Sequence, residues 1–157
     1  MTANSSLYLW VLTLNIFATF SMTGIIWFVQ VVHYPLFASV GTEQFTNYEE
    51  LHQHLTTLVV APLMLVELFT AMALPFMIAD QPARLLSIVA LILILAIFAT
   101  TAFVQVPIHD KLSAAFSASL VDRLVFTNWV RTLLWSVRSF AVVAILVSCL
   151  GCLGGRG

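Results

Sequence analysis

The chain has 157 residues, 61% of them hydrophobic and only 8% charged, with a formal net charge of −1 and a mean hydropathy of +1.04. So little charge excludes a soluble globular domain, and six basic residues provide no nucleic-acid-binding surface. Long uncharged apolar runs read instead as membrane spans, and because they do not alternate they exclude a transmembrane β-barrel.

The first run covers about Leu9–Val32. Its flank, Met1 to Ser6, has no Lys or Arg, and the run is too long for the apolar core of a signal peptide, so it reads as a span. At 100° per residue, Asn15, Thr19, Met22, Ile26, Gln30 and His33 fall near one stripe. A connector, about Tyr34–His54, brings Glu49, Glu50, His52 and His54. Thr46-Asn47-Tyr48-Glu49 matches a capping box, which would give Glu49 a purely local task.

The second run covers about Leu55–Ile78. Glu67 lies eighteen residues from Glu49 and so on the same face. His52 falls about 60° from that line, whereas His54 and Glu50 point away. Pro62 and Pro75 are expected to kink this span. After the short turn Asp80-Gln81-Pro82-Ala83 comes the third run, about Arg84–Val106, with Thr101, Gln105 and His109 in register at its far end. In the next connector, about Pro107–Arg123, the apolar spacing over Leu112–Val121 fits an ordinary interfacial connector or, alternatively, a short amphipathic helix lying on the membrane. The fourth run, about Leu124–Leu150, carries Asn128, Arg131, Trp135 and Arg138 on one stripe. Cys149 and Cys152 near its end read as small apolar packing rather than a redox pair. Tyr8, Trp10, Trp27, Tyr34 and Trp129 read as interfacial belt residues.

The expected architecture is therefore all-α: one integral membrane four-helix bundle spanning residues 1–157, with both termini on side A and every histidine on side B. In lipid each polar stripe must face the bundle interior. Glu67 and Arg138 both lie about 20 Å below the side B ends of their helices, which predicts a buried ion pair between them. His33, His52 and His109, with Glu49, form a candidate metal site, since bundles build metal centres from facing helices. Ordinary interfacial or hydrogen-bonding histidines are the competing reading. Arg131, Asn128, Gln30 and Gln105 are candidate ligand-binding residues, Arg131 for an anionic or a carbonyl group.

Three stretches carry a resemblance: Thr23-Gly24-Ile25-Ile26-Trp27-Phe28-Val29-Gln30-Val31-Val32-His33-Tyr34-Pro35-Leu36-Phe37, Val106-Pro107-Ile108-His109-Asp110-Lys111-Leu112 and Thr127-Asn128-Trp129-Val130-Arg131-Thr132. They look like a group of small bacterial four-helix membrane proteins. More distantly, the chain resembles the anthrone-oxygenase-like membrane proteins. That family shares a Gly…Pro first span, a Pro-x-Asn-x-x-Leu stretch after the third and a Trp/Asn-x-x-Arg start to the fourth. The matching positions are Pro35, Pro107, Leu112, Asn128 and Arg131, while His109 stands where the family tends to have Asn. The resemblance implies oxygen-dependent chemistry on a flat, lipophilic aromatic substrate.

Two functional readings follow. One is a membrane oxidoreductase, or ligand-binding protein, that uses a transition metal to act on a lipophilic small molecule. The other is a non-enzymatic accessory subunit of a larger membrane complex, or a homo-oligomer, carrying haem or pigment through a histidine. The bilayer is the expected partner and the bacterial inner membrane the expected location. Side A has Arg84 and Arg156, side B Lys111 and Arg123, so charge leaves orientation undecided; cytoplasmic termini are the working assumption.

Overall fold

A computed structural model describes the backbone of residues 3–154 and the side chains of residues 6–151. Cys152 lies outside the described side chains. The elements are α1 (Ala3–Phe28), a π-helical turn (Val29–His33), α2 (Tyr34–Leu36), a 3-10 turn (Phe37–Ser39), α3 (Phe45–Met77), α4 (Gln81–Thr100), a second π turn (Thr101–Gln105), α5 (Val106–Ala114) and α6 (Ala118–Gly154). These join into four rods of 33 or 34 residues, Ser6–Ser39, Phe45–Met77, Gln81–Ala114 and Ala118–Gly151, each long and apolar enough to cross a membrane. The protein is an all-α integral membrane four-helix bundle. The Tyr8 hydroxyl meets the Cys149 thiol at 2.5 Å, tying the start of α1 to the end of α6 on one side.

Each rod is about 50 Å long, well beyond the roughly 30 Å of hydrocarbon. The helices therefore absorb most of what the sequence reads as connectors, leaving side B links only at residues 40–44 and 115–117. This removes the surface-helix alternative for Leu112–Val121. Leu112 is buried at the end of α5, the chain turns extended at Ala115, and Phe116 packs edge-on against Phe45 with ring centroids 4.8 Å apart.

Both π turns have the same cause. Proline has no N–H, and its ring collides with the carbonyl four residues earlier. Pro35 and Pro107 each sit two residues past the end of a π turn, where widening relieves that collision: the Tyr34 N–H reaches the Val29 carbonyl, and the Val106 N–H the Thr101 carbonyl. A turn widened by one residue rotates everything beyond it by about 100°. As a result Tyr34, rather than His33, continues the buried stripe of α1. Tyr34 is 4% exposed and is not a belt residue; His33 is half-buried. In α3, by contrast, Pro62 and Pro75 lie inside one uninterrupted helix.

Apolar packing falls into two layers. Leu12, Leu74, Ile78, Ala83, Ala90 and Ile145 close the bundle towards side A. Towards side B, Met22, Ile26, Phe37, Phe45, Ile97, Leu112 and Leu124 belong to a larger cluster. Phe76, Phe103, Phe126 and Phe140 point outward, where lipid covers them. The buried polar side chains lie between these layers and at the side B end.

Candidate metal centre and the polar interior

The deepest polar layer is built around Glu67. Its Oε1 accepts from Arg138 Nε at 2.7 Å and from the Thr19 hydroxyl at 2.9 Å, and its Oε2 accepts from Trp135 Nε1 at 3.1 Å. Arg138 continues from Nη1 to the Ala90 carbonyl at 3.0 Å and from Nη2 to Asn15 Oδ1 at 3.4 Å. Asn15 Nδ2 in turn donates to Thr70 Oγ1 and the Glu67 carbonyl. All four rods contribute, both carboxylate oxygens are used, and neither Glu67 nor Arg138 is exposed. A charge at this depth costs several kcal/mol unless it is paired. Here it is paired and hydrogen-bonded on every side, so the layer locks the four helices into register.

Above it, α1 and α6 are stitched by amides. Gln30 Oε1 accepts from Asn128 Nδ2 at 2.9 Å and from the Thr132 hydroxyl at 3.3 Å, while Gln30 Nε2 donates to the Val125 carbonyl at 3.1 Å. Asn128 Oδ1 accepts from Arg131 Nη1 at 3.2 Å. Gln105 Nε2 donates to Thr127 Oγ1 at 3.0 Å, and its Oε1 has no partner. Gln30 and Asn128 are thus committed to holding helices together. Arg131 stacks over the Trp135 ring at 5.3 Å and interacts with the Tyr34 hydroxyl, but its Nε is buried without a partner.

At the side B end, Glu49, His52 and His109 form a buried group whose nearest ligand atoms all lie within 4.8 Å of one another. Glu49 Oε1 pairs with His109 Nδ1, and Glu49 Oε2 is buried with no partner. A carboxylate accepts only, so His109 carries its proton on Nδ1. His109 Nε2 then accepts from the Tyr34 hydroxyl at 2.9 Å. His52 Nδ1 meets His33 Nε2 at 2.8 Å and Thr56 Oγ1 at 3.1 Å. Gln53 Nε2 donates to Ser113 Oγ at 2.6 Å and weakly to Glu49 Oε1, joining α3 to α5. Phe37, fully buried, sits edge-on to His52 at 5.1 Å and forms the apolar wall.

The local task expected for Glu49 is overturned. α3 starts at Phe45 without a side-chain cap, and the fully buried Glu49 faces His109 instead. His33 contacts His52 but stands outside the three-residue group, because the π turn swings it outward. Glu50 and His54 face outward. Sequence periodicity missed Tyr34, whose only signal is the Pro35 that forces the widened turn. In comparisons with protein-family models, curated proteins and solved structures, nothing matches this chain.

Proposed function

We propose that this protein is a metal-binding membrane protein whose centre is Glu49, His52 and His109, and that it acts as an oxidoreductase on a lipophilic small molecule reaching that centre from the bilayer. The observation that carries the reading is the buried group of two imidazoles and one carboxylate on two facing rods, with a carboxylate oxygen left over. Two histidines and a carboxylate are the donor set of many non-haem iron sites, and they also suit zinc. With metal–ligand distances near 2.0–2.2 Å, donors sit about 3 to 4 Å apart, so a small inward movement of these side chains completes the site. A first-row transition metal held there supplies Lewis acidity and, if iron or copper, one-electron chemistry.

The chain's own residues do the rest. Were His109 Nδ1 a metal ligand, its ring proton would be carried on Nε2, where the Tyr34 oxygen would accept it. The Tyr34 hydroxyl would then be released from donating to His109. His33 and Thr56 hold the Nδ1 edge of His52, leaving Nε2 to bind. Arg131, beside Tyr34, supplies fixed positive charge for the ligand. The resemblance to small bacterial four-helix and anthrone-oxygenase-like membrane proteins supports an oxygen-dependent reaction in a bacterial inner membrane, and the low charge of the chain supports lipophilic ligands.

The test is metal analysis, with an optical spectrum, of protein purified in detergent after growth with iron, copper or zinc. One tightly held transition metal per chain is expected. A Soret band would replace this reading with the haem-carrying accessory subunit, and metal-free protein that takes up none of the three ions would remove the centre.

A further inference from the structure

Helix α6 carries two buried arginines seven residues apart on one face, and only Arg138 has a carboxylate. Among the described residues Arg131 is in no salt bridge, although it is 7% exposed. Its Nη1 donates to the neutral Asn128 amide, its other polar neighbour is the neutral Tyr34 hydroxyl, Trp135 covers one face of its plane, and its Nε–H points at no acceptor. Buried charges are paired in folded proteins because an isolated one loses its hydration and gains nothing in return. A carbonyl oxygen would fill the empty Nε–H but leave the charge unbalanced, whereas an anionic oxygen does both. A guanidinium also presents the planar fork that carboxylates match.

We infer that Arg131 is the anchor for the anionic oxygen of a lipophilic ligand, a carboxylate or phenolate borne on an apolar body, held by its unpartnered Nε–H. The inference rests on the proposed lipophilic-ligand reading of this interior, not on a metal being bound. The apolar body follows from depth: Arg131 lies in a membrane-spanning helix, and its neighbours Trp135 and Tyr34 belong to the apolar side B cluster. The Glu49 carboxylate lies on the far side of Tyr34 and His109, so the anion meets the arginine before it meets like charge.

The experiment uses the full chain in phosphatidylcholine nanodiscs, titrated with dodecanoate and 2-naphthoate against their methyl esters, with binding read calorimetrically. The acids should bind on the order of tenfold or more tighter than the esters, the usual strength of a hydrogen bond to a charged group. Arg131→Gln should abolish that preference while Arg131→Lys keeps part of it. Equal binding of acids and esters by the unmodified protein overturns the inference without needing any variant. So does an acid preference that survives Arg131→Gln. Repeating the titration in phosphatidylglycerol nanodiscs separates sources: weakened uptake of dodecanoate identifies an anionic lipid headgroup as an occupant of the same anchor, and unchanged uptake identifies a free lipophilic acid. Metal content measured on the same samples keeps the two readings apart, since loss of metal with acid preference intact removes only the metal centre.

Discussion

Glu67 and Arg138 meet at 2.7 Å in the middle of the bundle with no exposed surface on either side chain, and the surrounding donors and acceptors come from all four rods. Such a layer tolerates only a few arrangements of its helices, because any slip leaves a charge or a polar group unpaired in lipid. Under the proposed function, the chemistry belongs to the other end of the bundle.

Arg138→Met should therefore destabilise the protein by about 3–5 kcal/mol, because it strands the Glu67 carboxylate. Adding Glu67→Gln should restore part of that loss, since the buried charge is gone and the single amide oxygen still accepts from either the Thr19 hydroxyl or Trp135 Nε1. Unfolding in detergent across the double-mutant cycle gives the coupling; simple additivity would mean that the two side chains do not act as a pair.

At the side B end, Glu49→Gln, His52→Ala and His109→Ala should each lower metal occupancy to near zero, whereas His54→Ala should leave it unchanged because that ring faces outward. Elemental analysis of the four purified variants checks this. Loss of metal on His54→Ala, or its retention in the other three, would place the site elsewhere.

Tyr34→Phe removes only the hydroxyl that bonds His109 Nε2. Outer partners of ligating histidines typically contribute ten- to hundredfold in metal affinity, and a drop of about that size is expected from competition with a chelator. His33→Ala should have a similar effect through His52. If His33→Ala abolishes binding outright, His33 is itself a ligand.

Gln30→Leu leaves the Asn128 amide without its acceptor between the first and fourth rods, while the Thr132 hydroxyl keeps the Asn128 carbonyl. The stranded group costs about 1–3 kcal/mol, so the melting temperature should fall clearly. Metal occupancy measured well below that temperature should stay intact, which separates the stitching amides from the metal site.

Composition alone determined the class, since 8% charge over 157 residues leaves a membrane as the only solvent that these apolar runs fit. Helical periodicity determined the inward faces as far as the helices stay regular. It paired Glu67 with Arg138, turned His54 outward, and put Glu49, His52 and His109 at one end, because burying charge in lipid leaves few choices. What it could not carry was phase across Pro35 and Pro107. There the widened turns advance the helix by one residue, bringing Tyr34 inward and moving His33 to the side, and the cost of a proline inside a helix is settled only by the packing around it. Depth likewise set which polar groups meet, but not which are satisfied. Gln30 and Asn128 look like ligand-binding residues in the sequence and turn out to bind each other, while Arg131, on the same stripe as Arg138, is left without an anion. That difference depends on three helices arriving at given distances, which only the tertiary structure decides.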